Sequence, residues 1–90
     1  MIYVRPRYER AWRELTLSQQ AVVNAAVGHL ESVFGRPHQH SGLGLRAFGR
    51  YFEFRAGLGL RVLFLNEKGD LFLCFVGNHE QVRAFIKQAN

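Results

Sequence analysis

The hydrophobic pattern of this chain switches from helical to strand period near Pro37, and that switch constrains the fold more than any other feature. Before it, apolar residues recur at intervals of three and four: Tyr8, Ala11, Trp12 and Leu15, then Val23, Ala26, Val27, Leu30 and Phe34. Such spacing lines each set along one side of an α-helix. After Pro37 the glycines crowd in, and apolar residues either alternate with polar ones or run continuously, as in strands. A chain divided this way is neither a helix bundle nor a β-sandwich. It reads as an α+β domain, with the helical part first and the sheet after it.

Local signals divide it further. Ile2, Tyr3 and Val4 read as a short strand stopped by Pro6. A first amphipathic helix covers residues 8–15. Thr16 and Gln19 fit a capping box that opens a second helix, with Ser18 as a competing cap, and Gly35 and Pro37 close it. Residues 45–48, 51–56, 60–65 and 71–76 are strand material. The last two form a hairpin around Asn66–Asp70, where Gly69 supplies a positive φ. Their near-continuous apolar character places them centrally. Gly77 and Asn78 break the sheet, and residues 79–88 make a final helix with Val82, Phe85 and Ile86 facing inward. The expected order is β-αα-βββ-α: a single antiparallel-type sheet, an N-terminal helical hairpin packed on it and a short C-terminal helix. Residues 1–90 form one domain in this reading, and 48% hydrophobic content supplies its core.

Charge narrows the class of partner. Lys and Arg number 12 against 7 acids, a net charge of +5, and ten of the twelve bases are Arg. Arginine recognises phosphate in a planar, bidentate manner, whereas lysine acts as a hydrated point charge. Arg36, Arg46, Arg50, Arg55 and Arg61 are opposed in their stretch only by Glu53, and His38 and His40 lie beside them. A solvated face would account for such a run, and so would a surface for RNA or for an acidic protein. The lone Cys74 excludes an internal disulfide and suits a reducing compartment. No run approaches the roughly 18 apolar residues of a membrane span. The opening residues lack the apolar stretch of a signal peptide, so the expected location is cytoplasmic.

Several motifs promise less than they first suggest. Gly42-x-Gly44-x-x-Ala47 matches a dinucleotide-binding pattern, but it precedes strands instead of opening a helix within a βαβ unit. His38 and His40, with His29 or His79, have neither the partners nor the spacing of a metal site, so no metal and no cofactor is expected. Cys74 sits in an apolar run and reads as an inert thiol. The aromatic residues of the strands read as core, with Phe48 and Tyr51 as the exceptions placed to stack on a base.

One constellation carries chemistry. In an extended strand Tyr51, Glu53 and Arg55 share a face, Arg61 lies on the next strand, and His79 opens the final helix. If those strands are neighbours, an acid, an imidazole and two guanidiniums converge. Metal-independent RNA cleavage needs such groups: a base for the 2′-hydroxyl, an acid for the departing 5′-oxygen, and cations for the phosphorane. The same residues would equally make a cross-strand ion pair and a helix cap.

The segment 51–87 resembles the RelE/ParE superfamily of toxin–antitoxin toxins. The resemblance rests on Phe52-Glu53-Phe54-Arg55, on Leu60-Arg61-Val62-Leu63-Phe64, on an apolar strand ending in Val76-Gly77, and on His79 followed by Val82 and Phe85. The order of elements agrees over nearly the whole chain. The resemblance implies a cognate acidic antitoxin, and for RelE-like members a ribosome-dependent mRNA endoribonuclease that inhibits translation. It implies Arg61 as the phosphate-binding arginine, His79 at a catalytic Arg or His position, and Phe85 where RelE has a functional tyrosine. Tyr51 and Glu53 fall where RelE has two lysines. On this reading Glu53 is the base, His79 the acid, and Arg61 with Arg55 the phosphate clamp, while Arg46 and Arg50 hold the RNA backbone. The alternatives are a ParE-like toxin that binds gyrase without catalysis, or a degenerate member that only binds antitoxin or RNA.

Overall fold

The computed structural model describes residues 1–33 and 45–89. Its elements are β1 (Ile2–Val4), α1 (Pro6–Arg13), α2 (Leu17–Val33), β2 (Arg46–Phe48), β3 (Tyr51–Gly57), β4 (Leu60–Glu67), β5 (Asp70–Gly77) and α3 (His79–Ala89). Pro6 opens α1 at a position where a helix needs no N–H. The expected capping box opens α2: the Gln19 amide N–H donates to Thr16 Oγ1 at 3.2 Å, and the Thr16 N–H donates to Gln19 Oε1 at 2.8 Å. Phe34, Gly35 and Pro37, expected to finish that helix, lie outside the described residues.

The strands form one sheet in the order β1-β5-β4-β3-β2. Pairing is antiparallel from β2 through β5, as expected. The first strand departs from this, because β1 runs parallel to β5 with Tyr3 opposite Phe72, which makes the sheet mixed. Residues 45–56 also fold back on themselves, so β2 is a separate edge strand joined to β3 through Gly49 and Arg50. The hairpin between β4 and β5 is tighter than the sequence suggests: its turn is only Lys68-Gly69, both at positive φ.

The two faces of the sheet differ. The helical hairpin α1–α2 covers one, over Phe54, Val62, Phe64, Leu71, Leu73 and Val76. Tyr8, Val23 and Leu30 are buried there from the helix side, with Ala11, Trp12, Leu15, Ala26 and Val27 packed around them. On the other face α3 buries Val82 against Tyr51, Leu63, Leu65 and Cys74. A bulge serves both cores. Leu63 pairs with Phe75 and Phe64 with Leu73, which leaves Cys74 as the extra residue. Leu73 and Val76 therefore both face the helical hairpin, while Cys74 and Phe75 both face α3.

Candidate phosphate-binding site

The site lies where the α3 face of the sheet meets the start of α3. Arg55 and Arg61 are directly opposed across β3 and β4, and Arg61 in turn pairs with Gly77 at the end of β5. Two residues further on, His79 begins α3. Arg55, Arg61 and His79 line one pocket of about 250 Å³, together with Gly57, Gly59 and Leu60. Like charges facing each other across a strand pair destabilise a sheet. A pair of guanidiniums in that register is an arrangement an anion would relieve.

A second capping box holds His79 in place. The Asn78 N–H donates to Gln81 Oε1 at 2.9 Å, and the Gln81 N–H donates to Asn78 Oδ1 at 2.8 Å. Asn78, not His79, is thus the cap, and the exposed imidazole is free of that duty. Gly77 allows a close approach: a Cβ there would stand 2.6 Å from Gln81 Oε1, 3.0 Å from Gln81 Cβ and 3.2 Å from the Phe75 ring.

Glu53 lies beneath the pocket instead of in it. Its side chain is completely buried, and Oε1 accepts a hydrogen bond from Arg61 Nη1 at 2.6 Å. The second oxygen, Oε2, faces Arg83 Nη1 at 3.8 Å. Among the described residues neither of those two buried atoms finds a hydrogen-bond partner. Arg83 in turn lies over the Phe48 ring, 3.9 Å from its centroid. The expectation that Glu53 takes a proton from substrate does not fit this environment, because a carboxylate sealed from solvent cannot reach a 2′-hydroxyl. Its geometry is that of a positioning residue that fixes the Arg61 guanidinium at the pocket wall.

The other expected residues share the face but not the pocket. Arg46 pairs with Glu53 in register on the edge strand β2 and is exposed. Arg50 lies over the Tyr51 ring at 5.3 Å and donates to its hydroxyl at 3.4 Å, which pushes the Arg50 guanidinium up from its ordinary value. Tyr51 is buried and meets Phe85 edge-on at 6.1 Å. Phe85 stacks on Phe75 at 4.9 Å beneath Arg7, so it packs α3 onto the sheet and offers no proton. Burial pushes the Cys74 thiol up, in keeping with an inert side chain. Arg36, His38, His40, Gly42 and Gly44 lie outside the described residues.

Arg83 escaped the sequence reading, although a signal was present. It stands four residues after His79 and so on the same side of α3. Arg5 and Arg7 were also missed. They lie over Phe72 and Phe85, at 5.2 and 5.0 Å, and extend the arginine-covered face toward the N-terminus.

A helical hairpin on one side of a five-stranded sheet, with a terminal helix on the other, defines a class: this is the fold of the RelE toxins. Solved structures that share it include RelE in a RelB–RelE antitoxin–toxin complex from Methanococcus jannaschii, with a TM-score of 0.70 and 5% identity over 92% of this chain and 96% of that one. A copper-bound mutant toxin from Helicobacter pylori also has a TM-score of 0.70, with 14% identity over 90% of this chain and 96% of its own. The isolated RelE toxin of E. coli matches at a TM-score of 0.65 and 14% identity, over 100% of this chain and 98% of that one. No family model and no curated protein sequence matches the chain. Among the described residues no helix is long and apolar enough to cross a membrane.

Proposed function

We propose that this chain is the toxin of a toxin–antitoxin pair and that it inhibits translation by cutting mRNA, most effectively in the ribosome. The observation that carries the reading is the pocket in which Arg55 and Arg61 oppose each other beside His79. In this mechanism the two guanidiniums hold the scissile phosphate and stabilise the charge of the phosphorane. The 2′-oxygen attacks phosphorus, and its proton passes to solvent water. The bond to the 5′-oxygen breaks as His79 donates a proton to it. The products are a 2′,3′-cyclic phosphate and a 5′-hydroxyl end. No step needs a metal or a cofactor. Glu53 acts through Arg61, and Arg46 and Arg50 contact RNA further along the face.

The RelB–RelE complex is a toxin held by its antitoxin. By analogy, an acidic antitoxin is the cognate partner here, and the arginine-rich α3 face is a surface suited to its charge. The basic composition supports the same reading.

Induced expression followed by primer extension on cellular mRNA tests the proposal. Wild type is expected to arrest growth and produce new 5′ ends, and Arg61→Ala is expected to abolish both. Growth arrest without cleavage, together with inhibition of gyrase supercoiling by the purified protein, would replace this reading with the gyrase-directed one.

A further inference from the structure

Beyond the Arg55–Arg61–His79 pocket, the same end of the sheet carries a second and larger one. It encloses about 530 Å³ between α1, the turn joining β3 to β4, and the start of α3. Arg7 and Arg10, one helical turn apart on α1, supply its positive charge against the single carboxylate of Glu14, and Asn78 and Gln81 line it near α3. Gly59 and Leu60 line both pockets, so the two meet at that turn.

Arg7 and Arg10 are exposed, and among the described residues neither forms an ion pair with a carboxylate. The Arg7 guanidinium lies over the Phe85 ring, 5.0 Å from its centroid, a cation–π contact that occupies none of its hydrogen-bond donors with a carboxylate. Leu58 lines the second pocket at the turn where the two meet, 66% exposed and at a φ of 56°. A branched side chain in the left-handed region is uncommon, and such outliers concentrate at ligand contacts. Glycine would fit the turn with less strain, yet a large apolar side chain projects there into solvent.

Two arginine-bearing pockets thus meet at a turn that carries an exposed apolar side chain. Single-stranded RNA presents complementary groups, phosphate, base and phosphate, with the base free to leave a stack. We infer that the two pockets form a groove that is a binding path for single-stranded RNA, in which one phosphate sits at Arg55 and Arg61, a neighbouring phosphate sits at Arg7 and Arg10, and the intervening base packs on Leu58. The inference rests on reading the first pocket as an RNA site, and it adds the path along which the strand leaves that pocket. An acidic peptide offers regularly spaced carboxylates but nothing flat and apolar for Leu58.

The test is an NMR titration at low ionic strength of the full chain carrying His79→Ala, so that nothing is cut. Two ligands are compared, a nucleoside 3′-monophosphate and a short single-stranded oligoribonucleotide. The mononucleotide should shift the amides of Gly59, Leu60 and Arg61, and the oligonucleotide should also shift those of Arg7, Arg10 and Leu58. Spanning both pockets should make the oligonucleotide bind about tenfold more tightly than the mononucleotide. Arg7→Ala with Arg10→Ala should remove that gain and leave mononucleotide binding unchanged. Arg13→Ala with Lys68→Ala, which removes the same charge elsewhere, should keep it. Leu58→Gly should raise the melting temperature through relief of strain, while oligonucleotide affinity falls roughly threefold. If the gain survives in the Arg7/Arg10 variant, the path is wrong while the first pocket stands. If neither ligand shifts the amides around Arg61, both the path and the RNA reading of that pocket fail. A glutamate-rich peptide showing the same dependence on Arg7 and Arg10 would assign the groove to an acidic protein and overturn the inference.

Discussion

The two faces of this sheet are built from neighbouring residues of the same strands, yet they follow opposite rules. Toward the helical hairpin, Phe54, Val62, Phe64, Leu71, Leu73 and Val76 meet Tyr8, Val23 and Leu30 in a core that contains no buried charge among the described residues. Toward α3 the apolar cluster is smaller, and a fully buried Glu53 lies between the guanidiniums of Arg61 and Arg83. Aromatic rings on that side serve as supports for arginines at Phe48, Tyr51, Phe72 and Phe85. The first face is where burying apolar area stabilises the fold. The second gives up dry packing to hold cations in fixed positions, as the proposed phosphate site requires.

Substitutions can break this contrast. The largest effect is expected from Phe64→Ala on the helical-hairpin face, at about 3–5 kcal/mol from lost burial and the cavity left behind. Urea denaturation measures it, and a loss below about 1 kcal/mol would mean that this face is not the one that holds the fold. Glu53→Gln comes next, with an expected loss of about 3 kcal/mol, because two guanidiniums remain with no anion between them. Replacing Arg83 by Met in the same chain should recover most of that loss. Were Glu53 a proton carrier and not a positioning residue, the double variant would be stable but could not cut RNA, whereas cleavage recovered along with stability supports the positioning role.

The smallest effect sharpens the dry face. Burial pushes the Tyr8 hydroxyl up to about 12, from an ordinary value near 10. The folded state therefore keeps a proton that the unfolded chain loses first, so this contribution is intact below about pH 10 and is lost as pH rises toward 12. Tyr8→Phe should flatten the alkaline limb of the melting-temperature curve and change stability at neutral pH by no more than about 1 kcal/mol.

Much of the fold is legible in the sequence where one face of one element decides the outcome. The helical stripes of Tyr8–Leu15 and Val23–Leu30 and the Thr16–Gln19 box are local signals, and they meet the structure directly. The parallel pairing of β1 with β5 is not local, since Tyr3 and Phe72 are brought together only by the whole intervening chain. In the site, period-2 alternation correctly puts Glu53, Arg55 and Arg61 on one side. Alternation says which face a side chain takes, but not whether a helix covers it. Arg83 of α3 faces the fully buried Glu53, an environment that suits an anchor and not the expected base. Asn78 and Gln81 form a cap as local as the one at Thr16. It was masked because Gly77 and Asn78 read first as sheet breakers.

The central claim is that the arginine–histidine pocket on the α3 face performs metal-independent cleavage with His79 as the proton donor. The chemistry of the 3′ ends left in mRNA after induction tests it most directly. Wild type should leave 2′,3′-cyclic phosphates, and a His79→Ala chain of equal thermal stability should leave few or none. Ends carrying a free 3′-hydroxyl, or the same cyclic ends in equal yield from His79→Ala, would contradict the account.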